Sequence, residues 1–366
     1  MEEQISLEEY LFGEGNKIFI DDIEFCVDRI VMLPKIRPHQ LEKAVDLSVE
    51  YCKYADFRLK ILKNIYKCPV LIYRLYKRGF FVFDEVEPFL EKGDSSLFCY
   101  YFRKEIKDFK SFIQGKKILY DLKPSFFENE SNIDQYIEYG FLPSSIEYCL
   151  KYDVLDDLVV FDDLKQNAKW CPFEWSFKPE YLDLLSFAGF FASIKCFRHL
   201  LMKGFEINEN VFLMVVCGGC FDLFHLCQGK QFFIPSIVCK ASEFFHLPLL
   251  VFMLENGANI NANCKKNWTP LHYAANNGHI SVVEYLVNQQ ADINPKSGIN
   301  FYETPFHFAA ENGHLSVVNY LVNQKVDINT KDYYVEFLYS IGLLFIKQFK
   351  MTILVLLNIL LIKKLI

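Results

Sequence analysis

The residues best equipped for chemistry are a cluster at 217–227 and four histidines downstream. Cys217 and Cys220 flank two glycines, with His225 and Cys227 close behind. Thiols and imidazoles at such spacing are the ligand types of a zinc site, and CxxC also serves thiol–disulfide exchange. Two features weigh against both chemistries. The paired glycines suit a turn between helices, and no second ligand pair stands at a matching spacing, so the cysteines read as packing residues. His272, His279, His307 and His314 offer general bases or metal ligands. They recur at fixed places in a repeated pattern, without a partnered nucleophile or carboxylate pair. They therefore read as structural rather than catalytic or metal-binding residues. The segment Lys60 to Phe81 carries Lys60, Lys63, Lys67, Arg74, Lys77 and Arg78 among apolar residues. Glu85, Glu87 and Glu91 follow closely, so it reads as a packed helix pair with a solvated basic face rather than a surface for anionic lipid or an acidic partner. No glycine-rich phosphate loop, kinase motif set or nucleophile elbow appears. The expectation is a non-enzyme without cofactor or metal.

The elements that position these residues follow from composition and period. A chain of 366 residues suggests about two domains. With 52% hydrophobic and 23% charged residues it can bury a sizeable core and is not generally disordered. Phe (37) and Tyr (21) are spread along the chain, which suits many small packed layers. A net charge of −7 and a pI near 5.7 argue against a nucleic-acid-binding face. Twelve cysteines without framework spacing, and the acidic opening MEEQISLEEYLFGEG, favour a reducing, intracellular and cytoplasmic setting with the cysteines as small buried hydrophobes.

Comparison of the chain with itself gives the strongest signal. Residues 268–294 read WTPLHYAANNGHISVVEYLVNQQADIN, and 303–329 read ETPFHFAAENGHLSVVNYLVNQKVDIN, offset by 35. Thr269 and Thr304 suit helix caps, and Pro270 and Pro305 suit the first turn, where no backbone donor is lost. The Ala274-Ala275 and Ala309-Ala310 pairs allow close approach of neighbouring helices. Gly278 and Gly313 suit the left-handed conformation that ends a helix. Ile280, Val282, Val283 and Leu286 form an apolar stripe, and Asp292 and Asn294 suit an outgoing loop. These segments resemble ankyrin repeats, whose pattern is TPLHxAAxxGHxxVVxxLLxxGAxIN, at almost every patterned position.

One such unit cannot bury its own face, so weaker copies are expected. ASEFFHLPLLVFMLENGANIN (241–261) aligns with Ala241 under Ala274. LSFAGFFASIKCFRHLLMKGFEIN (185–208) aligns with Ala188 under Ala274 and Asn208 under Asn294. VVCGGCFDLFHLC (215–227) fits a shortened unit with Gly219 under Gly278, and SIEYCLKYDVLDDLVVF (145–161) echoes a helix pair. In residues 1–140, Pro34, Pro38, Pro69 and Pro88 punctuate apolar stretches of helix length. The layout resembles large ankyrin families of parasitic protists, in which an uncharacterised helical region precedes the repeats.

After Asp332 the pattern fails, and an apolar tail runs to Ile366. Lys347 and Lys350 interrupt it, leaving 351–362 unbroken, too short to span a bilayer. Reading from the third base of each codon from Gly342 onward permits a further ankyrin pattern, so the tail reads as an out-of-frame repeat. The expected organisation is all-α: a helical region at 1–140, degenerate ankyrin-like repeats at 141–240, ankyrin repeats at 241–332, and the tail at 333–366. The resemblance implies a non-catalytic adaptor or scaffold that binds another protein by loop tips and a concave face, with membrane and nucleic acid not expected as partners. By the same resemblance the loop tips are Lys265, Lys266 and Trp268, then Asn300, Phe301 and Glu303. The helix-end positions are Asn276, Asn277, Glu311 and Asn312. Trp268 and Phe301 read equally well as binding anchors and as packing against the next loop. The competing readings are a membrane-tethered protein, a frameshifted gene copy, and an enzyme with its chemistry in 1–140.

Overall fold

The computed structural model describes residues 69–92, 96–114, 130–143, 145–162, 182–228, 235–298, 303–312 and 314–326. It also describes short stretches at 30, 44–46, 48–49, 55–63, 164 and 167–168. The apolar tail, Gly313, Pro34 and Pro38 lie outside the described residues. Among the described residues the fold is all-α apart from one short antiparallel pair, Asn167–Ala168 with Leu182–Asp183. Among the described residues no helix is long and apolar enough to cross a membrane. The chain divides into two compact units, Met1–Lys230 and Gln231–Ile366.

In the first unit the early helices are α1 (Ala55–Lys63), α2 (Pro69–Lys77), α3 (Phe83–Lys92), α4 (Ser96–Tyr101), α5 (Phe109–Gln114) and α6 (Glu130–Tyr139). Pro69 opens α2, where a missing donor is harmless, and Pro69, Leu71, Ile72 and Leu75 form its buried stripe. Pro88 does not end an element as expected but sits within α3. Its ring leaves one helical carbonyl without a donor, a cost the helix accommodates here with Val86 and Leu90 buried on either side. Phe102 is fully buried against the edges of Tyr73 and Tyr76. The basic segment is tied down by carboxylates: Arg74 pairs with Glu138 and Arg78 with Asp46. Arg58 pairs with Glu85, while Asp134 receives both Arg103 and Lys104. Partial burial works against the carboxylates of Asp134 and Glu85. The bonds from Lys104 and Arg103, and from Arg58, outweigh it and hold both below their ordinary range.

Three helix pairs follow: α7 (Ile146–Tyr152) with α8 (Leu155–Leu158), α9 (Leu184–Phe190) with α10 (Ile194–Met202), and α11 (Glu209–Gly218) with α12 (Phe221–Cys227). Their first helices stack in the order α7, α9, α11. Ser145, Asp183 and Asn208 cap those helices, each accepting a backbone N–H three residues on. Gly219 ends α11 at φ +71, the left-handed cap its alignment predicts. Alpha-carbon approach between α9 and α11 depends on glycine. A Cβ on Gly218 would stand 2.3 Å from the Gly189 carbonyl oxygen and 2.7 Å from that of Phe190.

The second unit repeats the theme with α13 (Pro235–Glu243) and α14 (Leu247–Glu255), α15 (Pro270–Asn276) and α16 (Ile280–Asn288), and α17 (Pro305–Glu311) and α18 (Leu315–Asn323). First helices α13, α15 and α17 stack on one another, and α16 packs on α18. Val282, Val283 and Leu286 are fully buried as the stripe requires, whereas Ile280 is half-buried. Gly278 has φ +68, and a Cβ there would meet the His314 ring at 2.6 Å, so glycine is needed twice over.

Candidate binding surface on the repeats

The segment joining α14 to α15 forms a projecting finger. Lys265–Asn267 make a single tight turn closed by Trp268 N–H donating to the Lys265 carbonyl at 3.3 Å. Lys266 and Asn267 both have positive φ, the backbone of a type I′ turn. Lys265 and Lys266 are exposed at its tip. The next finger is tied to this one, since Gly298 N–H donates to the Lys266 carbonyl at 2.7 Å. Of the second finger's expected contacts, Asn300 and Phe301 lie outside the described residues.

Trp268 is half-buried rather than projecting. Its ring centroid lies 4.4 Å from that of Phe308 and 5.0 Å from that of Tyr273. The indole thus packs along the stacked first helices, the arrangement that competes with an anchor role. Glu303 is half-buried, and its carbonyl accepts from Ser297 N–H and from His272 Nε2 at 3.1 Å.

The histidines do the tying. Thr269 and His272 form a capping box in which the imidazole replaces the usual carboxamide or carboxylate, His272 Nδ1 accepting from Thr269 N–H at 3.0 Å. Nε2 therefore carries the ring proton and donates it to Glu303. Burial strips this imidazole of water and brings its pKa down to about 4, so the ring is neutral at pH 7. His307 repeats the box with Thr304. His279 and His314 sit one step later, at the N-caps of α16 and α18. Each reaches back with Nε2 to a carbonyl ending the preceding first helix, Glu243 and Asn276 respectively, both at 2.9 Å.

The helix-end asparagines are also engaged. Asn277 Nδ2 donates to the Glu243 carbonyl at 3.1 Å, and Asn276 Nδ2 donates to Asn277 Oδ1 at 3.3 Å. Asn312 Nδ2 lies 3.1 Å from Asn276 Oδ1. These side chains run from the end of α13 to the end of α17, and sequence reasoning missed that lateral chain. Its one signal was the recurrence of asparagine at 277 and 312. Asn312, the last member of that chain, and its neighbour Glu311 remain exposed.

The Cys217–Cys220 region behaves as packing. Cys217 is buried in α11, and Cys220 is the N-cap of α12. Among the described residues no trio of His, Cys, Asp or Glu is placed to hold a metal. The reading of every cysteine as an unpaired hydrophobe needs one correction: Cys239 and Cys264 are joined in a disulfide across 25 residues. Nothing in their spacing signals it, because the pairing arises from the finger folding over α13.

Comparison with known proteins agrees with this geometry. Residues 238–332 match the family model for ankyrin repeats, in three copies. A fowlpox virus (strain NVSL) protein whose name includes the words ankyrin repeat protein is 41% identical over 64 residues, 17% of this chain and 12% of its own. An α-latrocrustotoxin of Latrodectus tredecimguttatus is 48% identical over 42 residues, 12% of this chain and 3% of its own. An α-latrotoxin of Latrodectus hasselti is 35% identical over 68 residues, 19% and 5% of the two chains. The chain thus spans only a small part of the length of these relatives. With stacked helix pairs, two of them capped by Thr-Pro-x-His and cross-tied by a second histidine, residues 238–332 of this chain carry the three ankyrin repeats that the family model matches.

Proposed function

We propose that the protein is a non-catalytic adaptor or scaffold that binds another protein through the finger tips and first-helix ends of residues 241–332. Ankyrin repeats are in general protein-interaction modules. The finer assignment rests on one observation: Lys265, Lys266, Glu311 and Asn312 are displayed from a backbone already cross-tied by histidine and asparagine side chains. A surface held in that way loses little conformational freedom on binding, which favours affinity. Glu303, Asn276 and Asn277 contribute their remaining exposed edges. Asn300 and Phe301, outside the described residues, are assigned to the same face by the family resemblance alone, and Trp268 backs it through its packing on Phe308. The partner is a protein rather than nucleic acid, in keeping with the acidic chain, and the setting is the cytoplasm. Helix pairs at 145–227 belong to degenerate units of the same kind, and residues 1–140 to the helical region that precedes them.

The test is cross-linking of the full chain in its native cell, with bound proteins identified by mass spectrometry. Charge reversal at Lys265 and Lys266, together with Glu311→Lys, should remove a specific partner. Asn319→Lys, exposed on α18, should not. A partner retained equally by all variants would sink the assignment of this face.

A further inference from the structure

Cys239 lies in α13 and is 2% exposed, whereas Cys264 opens the finger and is half-buried. Their Cα atoms are 6.8 Å apart, within reach of a disulfide, and the sulfurs are joined. The surroundings accommodate the separated thiols as well. The Pro235 carbonyl oxygen is 3.3 Å from Cys264 Sγ, and that of Ala262 is 3.7 Å from Cys239 Sγ, each in place to accept a thiol hydrogen. Of the other described cysteines, Cys99, Cys149, Cys196, Cys217 and Cys227 are buried and Cys220 is half-buried. Burial raises Cys149, Cys196 and Cys227 above the ordinary thiol range, which keeps them protonated and slow to exchange.

We propose that Cys239 and Cys264 form a reversible disulfide staple that fixes the finger bearing Lys265, Lys266 and Trp268 to α13, so that redox state sets the rigidity of the binding surface. The chemical part stands by itself, and the consequence for binding rests on the function proposed above. In the reducing direction a dithiol's thiolate attacks Cys264 Sγ, the more exposed sulfur. The S–S bond breaks, and Cys239 Sγ leaves with the electron pair and takes a proton. The dithiol's second thiol then displaces Cys264 as a free thiol and closes its own disulfide. In the oxidising direction the Cys264 thiolate attacks a low-molecular-weight disulfide such as glutathione disulfide and releases one glutathione. Cys239 then attacks Cys264 Sγ and releases the second. Closure removes conformations from the segment between the two cysteines, including the stem of the finger, where Cys264 N–H donates to Trp268 O at 2.9 Å and Ala262 N–H to Asn259 O at 3.1 Å.

The experiment equilibrates the full chain with glutathione and glutathione disulfide at graded ratios, blocks free thiols, and digests it without reduction. Peptide mapping should find the 239–264 link in oxidising mixtures and not in reducing ones. Amide exchange at 262–268 should speed up by about tenfold or more on reduction. Cys264→Ser, at the more exposed site, should abolish that response, and Cys220→Ser should keep it. Absence of the link at every ratio overturns the proposal, as does finger exchange that ignores it. Both readouts on the unmodified chain decide the matter even if a variant misfolds. A chain that forms the link and stiffens, yet shows no binding dependent on Lys265 and Lys266, keeps the staple and removes the binding function instead.

Discussion

The helix pairs at 145–227 and the repeats at 238–326 make the same joint in two ways. In the second unit His279 and His314 stand at second-helix N-caps and donate back to Glu243 and Asn276. In the first unit Ser193 occupies the aligned N-cap of α10, and its hydroxyl donates back to the Leu150 carbonyl. A hydroxyl one bond beyond Cβ reaches less far than an imidazole Nε2, so the backbones must come closer there. The carboxylate of Asp153, left-handed at the end of α7, adds a forward link by accepting from Lys195 and Cys196 N–H at 3.2 and 2.9 Å. The helix spacers differ in the same sense, with Gly189 and Gly218 in the first unit and alanine pairs in the second. What Ser193 in one unit and His279 and His314 in the other share is a bond back to the preceding first helix, made by a residue type that suits the spacing.

The largest effect that would break this comparison is Gly218→Ala. The new Cβ would press on two backbone carbonyls that have no side-chain freedom, which costs about 2–4 kcal/mol. Amide exchange should show protection lost over 184–227 and kept over 270–323; equal loss in both would mean the glycines are not what sets the spacing.

The acid response should separate the units next. His272 titrates at about 4 when folded against 6.5 unfolded, so the unfolded chain binds the proton first. Stability of the second unit is therefore full above pH 6.5 and falls between 6.5 and 4, by up to about 3 kcal/mol. Asp134 and Glu85 in the first unit are held below their ordinary range, so their contribution disappears only at lower pH, as it falls through the folded values. Urea midpoints followed by Trp268 fluorescence between pH 7.5 and 4 test this, with His272→Asn as the control. A flat profile would contradict the neutral buried imidazole.

A smaller loss, about 1 kcal/mol, is expected for Ser193→Ala, which removes one back-bond and leaves the Leu150 carbonyl to find another donor. His279→Ala should cost more, since it also empties a buried ring site against Phe245. Equal costs in denaturant titrations would show that reach, not packing, decides the histidine.

The smallest effect is a gain. Gly204 and Gly257 take φ +91 and +89 after second helices, where a left-handed residue is needed. Gln290 and Lys325 fill the matching places with φ +64 and +62. Relieving that conformation with Gln290→Gly should stabilise the chain by about 0.5–1 kcal/mol, net of the added freedom of the unfolded glycine. A midpoint that falls instead would show that the Gln290 side chain does more than its backbone suggests.

Much of the fold was legible in the residues themselves. Thr269-Pro270-Leu271-His272 states a cap, a first turn and a partner for the cap within one short window, and the structure forms that box. Gly219 and Gly278 announced left-handed helix ends that the backbone adopts. The candidate surface was legible only in part. Lys265 and Lys266 are exposed on the finger, and Trp268, which the sequence left open between anchor and packing, packs on Phe308, 40 residues away. Asn276 and Asn277 spend hydrogen bonds on the repeat frame.

By itself the sequence determined the repeat, its caps, its apolar stripes and its turns, because each depends on neighbours within a few residues and on the helical period. The tertiary structure decided that Gly189 and Gly218 meet, that Cys239 finds Cys264, and that asparagines link consecutive helix ends. Those contacts depend on the distance at which one helix pair settles on the next, a quantity fixed by packing across the stack and written in no single stretch of chain.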